Sequence, residues 1–238
     1  MYAVISDIHG NLEALEAVLG DVPEEAGRIF CLGDVIGYGA SPNECCELVR
    51  GVEMPVITGN HDLAVVDLST DLNWFNPVAE AAVRWTRERL NDENRAFLRS
   101  RPRMMQTSEA LFVHGSVRDP DEYIIDSTTA AENLAILKNE YPNVPLCFFG
   151  HTHVKAVAPS PNGKAAEMGL DLGSGGPYLV NPGSVGQPRD GDTFASYVLV
   201  EGTNVTYRFV EYDIGRAQAK IRDAGLPGML ADRLAAGR

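Results

Sequence analysis

The stretch YAVISDIHG, residues 2–10, decides the fold class of this chain. Residues 2–6 form a short apolar run that predicts a buried strand. Asn11 follows, and apolar residues then recur at helical spacing from Leu12 to Leu19. A strand that ends in polar residues and leads directly into a helix is typical of an α/β layer.

The next forty residues, to Thr58, repeat this pattern. Residues 28–32 predict a second strand, residues 42–49 a helix with proline at its start, and residues 55–58 a third strand. Strands that alternate with helices in this way pair in parallel. The first part of the chain therefore predicts a sheet of parallel strands covered by helices.

Residues 63–100 interrupt the alternation and predict a helical insertion over the end of the sheet, with helices near 78–90 and 93–98. Trp74 and Trp85 lie in it and are predicted to be core residues rather than base-stacking platforms. The tail after Gly225 is predicted to be loosely held, and residues 1–238 to form one domain. The remaining predicted elements are strands at 111–114, 145–150, 154–158, 178–180, 194–200 and 205–212, and helices at 129–141 and 214–224.

Composition and charge exclude several classes of protein. The 238 residues are 45% hydrophobic and 22% charged, which is close to the globular average and excludes a disordered, collagenous or coiled-coil chain. Twenty basic against 33 acidic residues give a net charge of −13, which disfavours binding to long nucleic acids or anionic membranes. A small phosphorylated ligand remains compatible, because a bound metal ion can invert the local charge.

The four cysteines form no C-x-x-C pair and are predicted to be buried free thiols, which favours a reducing compartment. No targeting segment is visible at the start, and no apolar stretch approaches the roughly 18 residues of a membrane-spanning helix. We therefore expect a cytoplasmic protein. The sequence leaves the oligomeric state open, although an exposed apolar face on the insertion would favour a homo-oligomer.

All five histidines lie at or near the ends of predicted strands, each beside a Gly, Asp, Asn or second His. The carboxyl ends of the strands in an α/β sheet gather at one edge, so these side chains are expected to converge. The motifs are DIHG at 7–10, GD at 33–34, GNHD at 59–62, HG at 114–115 and GHTH at 150–153.

The spacing within these motifs points to a metal site. Residues i and i+2 of an extended chain face the same side, so Asp7 with His9, and His151 with His153, can each present two side chains together. Mixed imidazole and carboxylate ligands suit Zn, Mn, Fe, Co or Ni. A single histidine of this kind is more often a satisfied polar group, but the collected set favours a metal centre.

The order of these motifs resembles the calcineurin-like metallophosphoesterase superfamily. The segment NPGS at 181–184 is similar to one common in its small bacterial phosphodiesterase-like branch. The resemblance implies an α/β (α+β) fold, a four-layer α-β-β-α sandwich of two mixed sheets flanked by helices. A dinuclear metal centre is expected at the strand ends.

The resemblance also implies two divalent transition-metal ions that share one carboxylate, with Mn first and Fe, Zn, Co or Ni as alternatives. No ligand position is substituted, which favours a catalytic protein. One ion would be held by Asp7, His9, Asp34 and His153, and the other by Asp34, Asn60, His114 and His151.

Two such ions can hold a bridging hydroxide that attacks phosphorus. By the resemblance, His61 stabilises the transition state and protonates the leaving group, while Asp62 either orients His61 or caps the following helix. Tyr38 and Arg189 are candidate substrate contacts, and Arg118 is a weaker one.

One departure from the motifs of the superfamily narrows the range of expected substrates. The protein phosphatases resemble G-D-x-x-D-R-G and R-G-N-H-E, whereas residues 33–39 read GDVIGYG and residues 58–62 read TGNHD. The missing arginines disfavour a protein phosphatase and favour a phosphodiester or a small nucleotide. Three alternatives remain at this stage: a phosphomonoesterase, a dinucleoside-polyphosphate hydrolase, and a non-catalytic metal-bound interaction scaffold.

Overall fold

The computed structural model describes residues 1–159, 170–173 and 176–238. The strands are β1 (Tyr2–Ile5), β2 (Ile29–Cys31), β3 (Met104–Gln106), β4 (Ala110–Val113), β5 (Leu146–Phe148), β6 (Ala156–Ala158), β7 (Leu170–Asp171), β8 (Tyr178–Asn181), β9 (Ala195–Glu201) and β10 (Asn204–Val210). The helices are α1 (Leu12–Asp21), α2 (Pro42–Gly51), α3 (Asn60–Val66), α4 (Pro77–Arg89), α5 (Asp92–Arg99), α6 (Ser127–Glu140), α7 (Ile214–Asp223) and α8 (Gly228–Leu234), with a 3-10 turn at Leu72–Trp74.

The strands form two five-stranded mixed sheets. The first has the order β2-β1-β9-β10-β7, in which β1 and β2 are parallel and the other pairs antiparallel. The second has the order β3-β4-β5-β8-β6, in which β4, β5 and β8 are parallel. The parallel strands β1, β2, β4 and β5 are the ones whose carboxyl ends carry the polar motifs.

The side chains of each strand alternate between two cores. In β1, Ala3 and Ile5 pack against the helices on one face, while Val4 packs between the two sheets. In β5, Phe148 lies in the core between the sheets, and Cys147 faces α6 on the outer side. This period of two produces helix, sheet, sheet and helix layers, which confirms the predicted four-layer α-β-β-α sandwich.

Two predictions about elements fail. Residues 55–58 form only a single bridge, between Cys31 and Val56, because the Thr58 amide turns away to the carbonyl of Pro102. The prediction of a loosely held tail is also wrong, since residues after Gly225 form α8, in which Leu230 and Ala231 are buried.

The C-terminal helices pack on the helical insertion. Gly225, at φ +71°, follows the C-cap of α7, and Pro227 is the N-cap of α8, so these residues separate two helices instead of opening a free tail. The side chains of α4, α7 and α8 share one apolar cluster that reaches Tyr38. The half-buried Trp85 joins this cluster and donates a hydrogen bond from its indole to the carbonyl of Ala224. Across the described ranges, no helix is both long and apolar enough to cross a bilayer.

Candidate metal centre

The structure brings all seven predicted metal ligands to one end of the two sheets. Each follows a strand or, in the case of Asn60, begins α3. All are buried apart from the half-buried Asn60. Three groups of side chains could each hold a metal ion, with candidate ligand atoms that lie within 4.8 Å of one another: Asp7 with His9 and His153, His9 with Asp34 and His61, and Asp34 with His114 and His151.

The backbone at the centre is strained. Left-handed φ values are uncommon for residues other than glycine and persist where the surrounding structure imposes them. Of the six such residues in the described part of the chain, only Glu53 lies outside the centre. The other five are candidate ligands: Asp7, His9, Asp34, His151 and His153, with φ between +50° and +65°.

Backbone carbonyls fix the orientation of three imidazole rings. A carbonyl oxygen only accepts, so the Nδ1 atom that faces it must carry the proton. Each Nε2 atom is then directed into the centre, which is how metal-binding histidines are commonly held. The three hydrogen bonds run from His9 to Ile36 (3.2 Å), from His114 to Leu32 (2.7 Å) and from His153 to Gln187 (2.7 Å).

Unshared electron pairs converge between the first and last motifs. The Nε2 atoms of His9 and His153 lie 3.1 Å apart, and Asp7 Oδ1 lies 3.3 Å from that of His153. Burial lowers the pKa of both histidines well below the usual value, so both rings are neutral. Asp7 Oδ1 is buried without a hydrogen-bond partner among the described residues. Neutral imidazoles and a carboxylate in this arrangement fit a cation.

The second half of the centre is built around Asp34. Its Oδ2 atom lies 3.4 Å from His114 Nε2, and Asn60 Oδ1 lies 3.1 Å from the same nitrogen. Burial alone would lower the pKa of His114, but the Asp34 carboxylate outweighs it and raises the pKa to about 10. In the metal-free protein a proton thus occupies the position that a cation would take. Buried His151 Nε2 faces this half without a hydrogen-bond partner in the described chain.

His61 lies between the two halves. Its backbone N–H donates to Asp34 Oδ1 at 2.9 Å, and its ring packs against His9, Tyr38 and Phe75. Buried Nδ1 has no partner among the described residues. Burial lowers the pKa of His61 to about 4, so the ring is neutral in the metal-free protein.

Asp62 makes contacts to the backbone only. Its carboxylate accepts hydrogen bonds from the amides of Ile36 (3.1 Å) and Gly59 (3.2 Å). Gly59 is the N-cap of α3, so the second contact satisfies the N-cap amide from the third position of the helix. The two roles predicted for Asp62 stay predictions, and its bond to the Ile36 amide holds the loop after Asp34 against the start of α3.

The predicted substrate contacts divide into two kinds. Tyr38 is buried, with its ring 4.6 Å from that of His9, and its hydroxyl accepts a hydrogen bond from Arg189 at 3.3 Å. Arg189 Nε is buried and has no partner in the described residues, although its other end is partly exposed. Arg118, in contrast, lies on the surface and pairs with Glu122 and Glu132.

Comparison with known proteins adds to this geometry. Residues 1–204 match the family model described as the calcineurin-like phosphoesterase superfamily domain. The chain belongs to this superfamily. An uncharacterised protein of Methanocaldococcus jannaschii is 38% identical over 248 residues, covering 100% of this chain and 98% of that protein.

Two solved structures share this calcineurin-like phosphoesterase fold. A metallophosphoesterase from Sphaerobacter thermophilus is 43% identical with a TM-score of 0.85, covering 100% of this chain and 98% of that one. A hypothetical protein from Pyrococcus horikoshii has 23% identity and a TM-score of 0.81 over the same shares. Membership supports a phosphoester hydrolase, and the superfamily normally uses divalent metals, which the His and Asp groups described above could bind.

Two residues of the NPGS segment support the loops of the centre, although the sequence assigned no role to either side chain. The Asn181 amide donates to Gly150 O (2.9 Å) and Thr152 Oγ1 (3.0 Å), which holds the loop that carries His151 and His153. The Ser184 hydroxyl donates to the carbonyl of Asp7 at 2.9 Å. The NPGS segment itself was the signal that could have revealed this role, because it is part of the family resemblance although it contains no candidate metal ligand.

A cleft of about 500 Å³ opens beside the centre. Asn60, His61 and His151 line it on one side, and the helical insertion lines it on the other. Trp74, predicted to be a core residue, is instead 87% exposed at this cleft. The 3-10 turn explains the difference, since it directs Leu72 into the core and leaves Trp74 outside.

Gly59→Ala tests how tightly the centre is packed. The backbone of Gly59 is ordinary, at φ −89°, but an added Cβ would overlap the Asp34 carboxylate and its backbone nitrogen. We expect a loss of about 1–3 kcal/mol in the free energy of unfolding, measured by urea denaturation. Gly20→Ala is the control, because Gly20 lies within α1 with nothing near its added Cβ. It should raise stability by up to about 1 kcal/mol. Equal effects of the two variants would contradict the packing argument.

Proposed function

We propose that the chain is a dinuclear metal-dependent phosphodiesterase that uses Mn²⁺. The main support for this proposal is the position of one carboxylate oxygen. Asp34 Oδ2 lies 3.6 Å from His9 Nε2 and 3.4 Å from His114 Nε2, so it faces both halves of the centre. A carboxylate that lies between two sets of histidine side chains suits a shared ligand for two cations.

The proposed ligand sets follow the two halves. Two divalent ions would outweigh the charges of the two aspartates and leave the centre positive inside an acidic protein, which favours a phosphate ester. Fe, Zn, Co and Ni suit the same donors. The first set is Asp7, His9, Asp34 and His153, and the second is Asp34, Asn60, His114 and His151.

When bound, two such ions supply a nucleophile from water at neutral pH and neutralise charge on the phosphoryl group. The chain contributes His61, which lines the cleft where the ester would lie. In the proposed reaction this ring donates a proton to the leaving oxygen. Asp62 is a positioning residue, because its bonds to Ile36 and Gly59 hold the segments that carry Asp34 and His61.

The space beside the centre supports a diester over a monoester. Arg189, which contacts Tyr38 beside His9, suits a phosphoryl oxygen of either ester. The cleft next to His61 gives room for a second organic substituent, which only a diester has. The four buried free cysteines fit the reducing cytoplasm.

Hydrolysis of bis(p-nitrophenyl) phosphate and p-nitrophenyl phosphate tests the proposal. With Mn²⁺-loaded protein, we expect cleavage that a chelator abolishes and a kcat/KM at least about tenfold higher for the diester, a difference of about 1.4 kcal/mol in transition-state binding. A preference for the monoester would contradict the substrate class. If two metals are bound and neither compound is cleaved, the proposed enzymatic function is wrong and a non-catalytic interaction scaffold is favoured.

A further inference from the structure

Trp74 is the most exposed large apolar side chain in the described part of the chain. It sits on a short turn held at both ends. Leu72, two residues earlier, is buried in the core, and Phe75, the next residue, contacts the ring of His61 edge-on at 5.0 Å. Asp71 caps the turn through the amide of Asn73. The indole is therefore held at a defined place beside the candidate catalytic histidine while its faces stay open.

A second exposed aromatic side chain lines the same cleft. Tyr123 is 48% exposed, and its ring lies 3.9 Å from that of His151 at an angle of 30°. Trp74 comes from the helical insertion and Tyr123 from the loop between β4 and α6, so two separate parts of the chain bring them to one cavity. Its volume of about 500 Å³ lies within the range of small-molecule sites.

The negative charge of the cleft indicates which kind of aromatic ligand it can bind. Asp71, Asp119 and Asp121 line it, and no lysine or arginine does so among the described residues. Carboxylates repel further phosphate groups and accept hydrogen bonds from amines. A flat, largely apolar group that carries an amine fits this lining, and the nucleobases adenine, guanine and cytosine have that chemistry.

We propose that this cleft binds the nucleobase of a nucleotide phosphodiester, with Trp74 as the stacking surface. The inference rests on the proposed phosphodiesterase function and names its substrate class. Stacking of a base on an aromatic side chain strengthens binding by roughly 5- to 150-fold as judged by alanine substitution. The base then stands on the exposed side of His61, while the phosphate lies at the metal centre.

The first test compares two inhibitors that share a phosphorylated ribose. Adenosine 5′-monophosphate carries a base and ribose 5-phosphate does not, and both are assayed against bis(p-nitrophenyl) phosphate with Mn²⁺-loaded protein. We expect the nucleotide to bind at least about tenfold more tightly. Trp74→Ala should remove most of that difference without weakening ribose 5-phosphate, and Trp74→Phe should restore it. Leu68→Ala is the control, because Leu68 is exposed on the same insertion but lines a different cavity.

The second test needs no turnover. Adenosine, which has no phosphate, is titrated into metal-free and Mn²⁺-loaded protein while tryptophan fluorescence is recorded. Of the two tryptophans, Trp85 is half-buried and hydrogen-bonded, so quenching by adenosine should come from Trp74 and vanish in Trp74→Phe. Quenching without any hydrolysis would refute the proposed phosphodiesterase and leave the base site standing.

Three results would overturn the base site. Equal inhibition by the nucleotide and the sugar phosphate would show that the base makes no contact. Equal weakening of both inhibitors in Trp74→Ala would show that Trp74 acts on the phosphate site. A wild-type dimer that dissociates in Trp74→Ala, measured by sedimentation, would show that Trp74 belongs to an interface between copies of the chain.

Discussion

Asp34→Asn is expected to remove both metal ions together and to lower kcat/KM for bis(p-nitrophenyl) phosphate by about a thousandfold or more. Asparagine keeps the shape of the side chain, and its oxygen can still accept the hydrogen bond from the His61 amide. It loses the charge that faces both His9 and His114. Because metal ions supply several kcal/mol of transition-state stabilisation, the loss of both should reduce the rate by this order.

Metal content after dialysis against Mn²⁺, measured by mass spectrometry, checks this result. Asp21→Asn is the matched control, since Asp21 is also a hydrogen-bonded carboxylate, paired with Arg208 and Tyr197 at the surface. The control should retain two ions and full activity. An Asp34→Asn protein that loses only one ion would show that Asp34 is not shared.

His61→Ala is expected to keep both ions and to lower kcat by about 10²–10⁴-fold. The ring packs among His9, Tyr38 and Phe75 at the cleft, where it can reach a leaving oxygen. A proton donor matters most for a poor leaving group. The defect should therefore be larger for an alkyl ester than for a nitrophenyl ester.

The metal content of His61→Ala distinguishes a proton donor from a metal ligand, which is the other role that the geometry allows for His61. His61 also lies in a group with His9 and Asp34 whose atoms could hold a metal ion. If His61→Ala loses an ion, His61 is a ligand and not a proton donor. An equal defect for alkyl and nitrophenyl esters would also contradict the proton-donor role.

Local patterns in the sequence predicted parallel strands covered by helices, and they placed the polar motifs together at the ends of the strands. A short apolar run predicts a strand such as β1, and a polar motif at the end of each strand places its side chains at one edge of the sheet. The superfamily resemblance supplied the two-sheet arrangement. Neither the local patterns nor the resemblance requires knowledge of the long-range contacts that individual side chains make.

Features set by long-range contacts could not be predicted. The carbonyls of Ile36 and Gln187 orient His9 and His153, yet a carbonyl has no signature in the sequence. Trp74 was assigned to the core because tryptophan is usually buried, and only the turn that buries Leu72 reveals its exposure. Helix α8 was missed because Pro227 and Gly228 were interpreted as the start of a loose tail.

Anomalous X-ray diffraction from a crystal of Mn²⁺-loaded protein tests the dinuclear centre most directly. We predict two manganese peaks per chain, one on each side of the Asp34 carboxylate. The first should contact Asp7, His9 and His153, and the second Asn60, His114 and His151. A single peak, or two peaks that do not share Asp34, would contradict the proposed centre.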